Sequence, residues 1–126
     1  MKASDYLQIE NHVAGKRVVL VNADGEDSGE WFHIVSHETR QASIALSKFQ
    51  RKQYQTIAEE GDDDTKYELI YDLYTRYLAE LVTDWSFDEE CTQDHIYAIL
   101  SDATKIRNQL DRKIHDSDFF TRDSED

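Results

Sequence analysis

The sequence predicts a mainly α-helical protein with a small N-terminal β-hairpin, an α+β fold built around a helical bundle. Proline is absent and only 4 glycines occur in 126 residues, so few positions force a helix to end. Two β-branched segments precede a long region in which apolar residues recur at spacings of three and four. We expect one domain over residues 1–126, with the hairpin at about 17–35, a helical region at about 37–118 and a frayed acidic tail at 121–126.

The N-terminal elements are predicted from composition. Residues 3–14 favour a short helix that ends at Gly15. Residues 17–21 and 31–35 are rich in β-branched and aromatic side chains and are typical of strands, and the polar loop between them predicts a turn. Because a lone hairpin is marginally stable, the helices that follow are expected to cover it.

A long helix is predicted from an N-cap at Ser36 to a stop at Gly61. Its apolar stripe is thin: Ile44, Ala45, Phe49, Tyr54 and Ile57. Residues 39–57 contain no acidic side chain, a local reversal of sign in an acidic chain. A protein interface and a solvated face are both open interpretations of this segment, and its basic residues form the candidate self-association or partner surface: Arg40, Lys48, Arg51 and Lys52.

The most regular amphipathic pattern begins at Asp64 or Thr65 and continues to Val82, which predicts a central core helix. Thr92 is expected to cap the next helix, and Ser101 the last one, which closes on Phe119 and Phe120. Core packing is favoured over a ligand groove for the tyrosines. The predicted structural core includes Tyr67, Tyr71, Tyr74, Trp85, Ile106 and Leu110.

Charge and composition limit the classes of partner that this protein can bind. The net charge of −13 disfavours binding to nucleic acid or to an anionic membrane surface and favours a basic protein partner. No segment approaches the ~20 apolar residues that span a bilayer, and the N-terminus lacks a signal-peptide core. We therefore expect a cytoplasmic protein. The single cysteine, Cys91, excludes an intramolecular disulfide.

Candidate catalytic and metal sites are weak. His33 and His37 are four residues apart, but the predicted strand and helix start do not place them on one helix face. The loop from Asp24 resembles a calcium loop only until Val35, which stands where a bidentate glutamate is required. Cys91 follows two glutamates, which disfavour its thiolate. We expect no catalytic residue, metal or cofactor, and hence no enzyme.

The second half of the chain resembles a known family. A helix, the segment Val82-Thr83-Asp84-Trp85-Ser86-Phe87, a capped start at Thr92 and a break near Ser101 follow in the order typical of tail assembly chaperones of long-tailed (siphovirus-type) phages. The resemblance implies a protein that binds the tape-measure protein and shields its apolar helical segments during assembly of the tail tube. It also implies homo-oligomers such as rings or spirals, possible contact with the tail tube protein, location in the host cytoplasm and absence from the mature virion.

The alternative function is an acidic DNA mimic that inhibits a nucleic-acid enzyme. The net charge of −13 supports it. Two observations oppose the DNA-mimic function: the basic residues between 39 and 57 and the clustering of acids at residues 59–64. A mimic of a phosphate backbone needs evenly spaced negative charge.

Overall fold

The computed structural model describes residues 15–121. In chain order the elements are β1 (Lys16–Val21), β2 (Asp27–Ile34), α1 (Arg40–Glu59), α2 (Asp63–Glu80), β3 (Val82–Trp85), α3 (Gln93–Asp102), α4 (Thr104–Ile114) and α5 (Ser117–Thr121). The predicted fold class, mainly α with a small antiparallel sheet, is confirmed. The helix predicted at residues 3–14 and most of the predicted tail, residues 122–126, lie outside the described residues.

The strands β1 and β2 form the predicted antiparallel hairpin, with Val18 opposite Phe32. Alternate side chains point into the core, because successive residues of a strand face opposite sides of a sheet. The buried set comprises Val18, Leu20, Phe32 and Ile34. The polar loop is a turn, as predicted: the Asn22 side chain accepts hydrogen bonds from the backbone N–H groups of Asp24 and Glu26, at 2.9 and 3.0 Å.

A third strand, β3, begins at Val82, where the sequence predicts the end of the central helix. β3 pairs antiparallel with β2, with Trp85 opposite Phe32, so the sheet order is β1-β2-β3. The chain becomes a strand here because β2 supplies hydrogen-bond partners for its backbone. In this strand the side chains of Val82 and Trp85 are both buried. The helix pattern therefore ends at Glu80, two residues before its predicted end.

Trp85 lies at the junction between the sheet and α3. Its ring is stacked at 6.2 Å on Phe32 and at 6.2 Å on His95, and Phe87 packs edge-on at 5.2 Å. The indole N–H donates a 2.7 Å hydrogen bond to the backbone carbonyl of Glu89. Trp85 is only 6% exposed, and so it seals this junction with both its apolar ring and its polar atom satisfied.

Two predicted helix caps are wrong. Thr39, not Ser36, caps α1: its hydroxyl accepts from the N–H of Ala42 at 3.1 Å. Ser36 is buried, and its carbonyl accepts from Thr39, which forms a turn before the helix begins. Ser101 lies inside α3, and the break falls at Ala103, which ends α3 and begins α4 without a side-chain cap.

Other helix ends are closer to their predictions. The Thr92 hydroxyl caps α3, as predicted, and Asp62 caps α2, two residues before the predicted start. The last helix is divided, since α4 ends at Ile114 and Phe119 and Phe120 lie in the short α5. None of the helices within residues 15–121 combines the length and the apolar character needed to span a bilayer.

The carboxamide of Gln109 on α4 covers the free edge of β1. Its nitrogen donates to the carbonyl of Val19 at 2.6 Å, and its oxygen accepts from the N–H of Val21 at 3.1 Å. An uncovered edge strand offers such groups to a second chain. The side chain thus closes this part of the edge and fixes α4 to the sheet.

Candidate partner-binding surface

The antiparallel helices α1 and α2 form a helical hairpin that extends beyond the core. In α1 the buried residues are Ala42 and Ala45, and in α2 burial begins at Thr75. No residue between 46 and 74 is buried. We call residues 46–74 the arm. α1 is about 30 Å long, and the part of this hairpin between Phe49 and Tyr71 supplies no side chain to the described core cluster.

The half-buried side chains of the arm form the seam between its two helices. In α1 and its C-cap they recur at spacings of three and four, as the contact line of two packed helices requires: Leu46, Phe49, Gln53, Thr56 and Glu60. The seam is apolar near the core and polar towards the tip. Its distal part therefore supplies little apolar burial to hold the helices together.

The large apolar side chains of the distal arm lie outside the seam instead. Tyr54 is 76% exposed and Tyr67 is 71% exposed. Among the described residues seven large apolar side chains are exposed, and five of them lie in the arm: Tyr54, Ile57, Tyr67, Leu69 and Tyr71. Scattered single side chains of this kind are ordinary, but their concentration on one element makes the arm the candidate interaction surface.

An aromatic cluster and a buried arginine fasten the base of the arm to α4. The rings of Phe49 and Tyr74 meet edge-on at 5.4 Å. The Arg107 guanidinium lies over the rings of Tyr71 and Tyr74, at 3.9 and 5.6 Å from their centroids, and its Nε donates to the buried hydroxyl of Thr75 at 2.9 Å. These contacts give the arm a defined direction.

The hydroxyl of Tyr74 donates a 2.6 Å hydrogen bond to the carboxylate of Asp111. Burial, followed by this bond and the negative charge of Asp111, raises the pKa of Tyr74 above its usual range. Burial is also the main cause that raises the pKa of Tyr77, which packs on the Tyr74 ring at 5.3 Å. Both tyrosines are therefore neutral structural groups at physiological pH.

The predicted basic surface is divided between two grooves of the hairpin. Arg40 and Lys48 line one groove beside Glu80, and Lys48 and Lys52 line a neighbouring one that also contains Glu80. Arg51 lines neither, although all four side chains are exposed. Among the described residues none of the four forms an ion pair. The structure thus leaves this positive charge open to solvent.

The predicted core tyrosines are only partly in the core. Leu110 is fully buried, and Tyr74 and Ile106 pack half-buried against the core. The prediction for Tyr67 and Tyr71 is wrong, since both are exposed. Their spacing places them on one helix face, but the body covers that face only as far as Arg107, which lies against one side of Tyr71. Tyr54 and Ile57, predicted to join the apolar stripe of α1, are exposed because they lie beside the line along which α1 contacts α2.

The sequence of α1 contains a signal for the arm. Along the seam of α1, polar Gln53 and Thr56 occupy the positions that follow apolar Leu46 and Phe49, while Tyr54 and Ile57 are offset from that line. Because the residues that face α2 are polar and the apolar residues lie beside them, this pattern indicates that the apolar side chains of α1 contact something other than α2.

Candidate catalytic groups are not brought together. Burial, followed by the charge of Asp84, raises the pKa of the Cys91 thiol, which opposes the thiolate form. The ring of His37 lies against that of His115, with 5.0 Å between the ring centroids. Within residues 15–121 no group of three or more histidine, cysteine or acidic residues is arranged to hold a metal ion.

Comparisons with protein-family models, with curated proteins and with solved structures find no match to this chain.

Proposed function

We propose that the chain is a tail assembly chaperone without catalytic activity. In this account the arm binds apolar helical segments of a tape-measure protein and shields them until tail-tube subunits assemble around it. The observation that carries the proposal is the arrangement of the arm, whose seam is polar at Gln53 and Thr56 while Tyr54, Ile57 and Tyr67 face solvent.

The physical argument concerns apolar area. Each large apolar side chain that leaves water on binding contributes about 25 cal/mol per Å² of buried surface. A partner helix with apolar residues at spacings of three and four presents a stripe that matches a ridge on the arm. The same stripe, uncovered, would make the partner aggregate. An arm that offers exposed apolar side chains on an acidic, soluble body is suited to covering it.

Features behind the family resemblance support the proposal. α2 is followed directly by a segment with a buried Trp85, and the helical region that comes next is split at Ala103. The alternative of a DNA mimic is less well supported, because the exposed basic side chains of α1 would repel a protein surface that binds phosphates.

The first test is the gene that follows this one, where the proposal expects a very long, helix-rich open reading frame. A segment of that protein is then co-expressed with the full chain, and the soluble amount of the segment is measured. The proposal predicts that the chain keeps the segment soluble and co-purifies with it.

A matched pair of variants locates the contact. Ile57 on the arm is 50% exposed and Val19 on the sheet is 45% exposed, so a lysine at either position is tolerated by the fold. Ile57→Lys should reduce the soluble segment several-fold, while Val19→Lys should leave it unchanged. Equal solubility with both variants, or no effect of the wild-type chain, would contradict the proposal.

A further inference from the structure

Two rows of side chains run side by side along α2. The acidic row consists of Asp64, Glu68 and Asp72 at spacings of four, and all three are exposed. The aromatic row contains Tyr67 and Tyr71, also four apart. Each tyrosine follows an acidic residue of the first row by three positions, so the two rows are adjacent on the helix surface. Between them lies an open groove lined by Tyr67, Glu68, Tyr71 and Asp72.

The chain's own arginines already occupy the end of this surface nearest the core. The Arg107 guanidinium lies over Tyr71, and the Arg76 guanidinium lies 3.9 Å from the ring centroid of Tyr97. The Tyr97 hydroxyl donates a 2.5 Å hydrogen bond to Asp72, which joins it to the acidic row. An arginine stacked on a tyrosine is thus the recurring contact here.

The pattern is incomplete at Tyr67. This ring lies one turn further from the core than Tyr71 and is mostly exposed. Among the described residues no lysine or arginine lies over it. Lys66, the nearest basic residue in sequence, pairs instead with Asp63 at 3.7 Å. Glu68 forms no ion pair within residues 15–121.

We infer that the Tyr67–Asp72 groove binds cationic side chains, arginine above all, on an amphipathic helix of the partner protein. This inference rests on the proposed function and adds the chemistry of the partner: arginines one turn apart at the border of its apolar stripe. One guanidinium stacks on Tyr67, as Arg107 does on Tyr71 and Arg76 on Tyr97. In this groove it also reaches the carboxylate of Glu68, which lines the same groove. The net charge of −13 favours such a partner at longer range.

Three synthetic helical peptides of about 18 residues test the inference with the full chain. All share one leucine stripe at spacings of three and four, and the flanking positions one turn apart carry arginine, glutamine or glutamate. Binding is measured by fluorescence anisotropy at about 0.15 M salt, where exposed charges more than ~8 Å apart are largely screened. The arginine peptide should bind about tenfold more tightly than the glutamine peptide, and the glutamate peptide more weakly than both.

Variants locate the discrimination between the arginine and glutamine peptides. Tyr67→Ala and Glu68→Gln should each reduce this ratio about three- to tenfold, the range expected for one cation–π or charge contact. Tyr54→Ala removes an equally exposed tyrosine from α1, and Glu26→Gln removes one charge from the turn between β1 and β2. Both controls should leave the ratio unchanged. Thermal melts check that all four variants fold.

Each other result overturns the inference. If the arginine and glutamine peptides bind equally tightly, the arm binds apolar helices without charge selection, and only the proposed function survives. If no peptide binds, both fail. If Tyr54→Ala or Glu26→Gln lowers the ratio as much as Tyr67→Ala does, the selection does not reside in this groove. If Tyr67→Ala dissociates an oligomer while the peptides are not discriminated, the occupant is a second copy of the chain.

Discussion

The Arg107 guanidinium lies 3.9 Å from the centre of the Tyr71 ring, and this contact fixes the arm to α4. Arg107 is 7% exposed, yet no carboxylate in the described part of the chain pairs with it. Its charge is balanced by the faces of Tyr71 and Tyr74 and by the hydroxyl of Thr75. A buried arginine held in this way depends on the geometry of every partner, because few alternative contacts are within reach.

Arg107→Ala should therefore lower the free energy of unfolding by about 2–4 kcal/mol, from lost stacking, a lost hydrogen bond and the lost alkyl packing. Arg76→Ala is the control: Arg76 stacks on Tyr97 in the same way but is exposed, so its loss should cost about 1 kcal/mol or less. Urea unfolding measures both. Equal costs would show that burial of Arg107 adds nothing.

The same contact explains why the sequence misleads about the tyrosines. Spacing reports which residues share a helix face, and it placed Tyr67, Tyr71 and Tyr74 together correctly. It does not report how far the body of the protein reaches along that face. The body ends at Arg107, so Tyr74 is half-buried, Tyr71 covers an arginine, and Tyr67 has no cover from the described residues.

Trp85→Ala should cost about 3–5 kcal/mol, the range for removing a large buried aromatic side chain. The loss removes ring packing on Phe32 and His95 and leaves the Glu89 carbonyl without its donor. Trp31→Ala is the control, since Trp31 is only partly buried. Thermal and urea unfolding supply the measurement. A Trp85 variant that melts within about a degree of the wild type would show that the indole contributes little to stability.

The sheet contains features that local sequence patterns cannot predict. β1 and β2 are recognisable because each carries several β-branched or aromatic residues beside a turn. β3 has only four residues and directly follows a strong helix pattern, so its strand character comes from pairing with β2, a tertiary contact. The edge cover by Gln109 is also tertiary, because 90 positions separate this residue from Val19.

Ionisation of Tyr74 should destabilise the fold in alkaline solution. The pKa of Tyr74 is raised in the folded protein, so the folded state favours the protonated hydroxyl. The resulting contribution to the free energy of unfolding is complete below 10.0, the pKa of tyrosine in the unfolded chain, and is lost as the pH rises above that value. Tyr74→Phe should cost about 1 kcal/mol at neutral pH through the lost bond to Asp111. It should also flatten the decline in melting temperature above pH 10, in part, because Tyr77 shares the effect.

Melting temperatures at a series of pH values between neutrality and the alkaline range provide the test, with Tyr54→Phe as the exposed control. An alkaline decline that is equally steep for wild type and for Tyr74→Phe would show that other groups cause it.

We also expect the chain to associate with itself through opposite charge. The exposed basic side chains Arg51 and Lys52 on one copy would meet acidic residues 59–64 or 116–126 of the next, a head-to-tail contact that generates rings or spirals. Light scattering should show mass rising with protein concentration at ~0.1 M salt and falling at ~1 M, where the Debye length drops to ~3 Å.

Reversing Arg51 and Lys52 to Glu should lower the mass at ~0.1 M salt. A strict monomer at high protein concentration, or a double variant with the mass of the wild type, would exclude these basic side chains as the contact.

Hydrogen exchange of the full chain, with and without a soluble tape-measure segment, tests most directly whether the arm is the binding surface. Amides that leave solvent or gain stability on binding exchange more slowly. The account predicts slower exchange in peptides that cover residues 51–71, around Tyr54, Ile57 and Tyr67, with β1 and β2 unchanged. Protection confined to the sheet or to α3 and α4, with residues 51–71 exchanging as in the free chain, would contradict it.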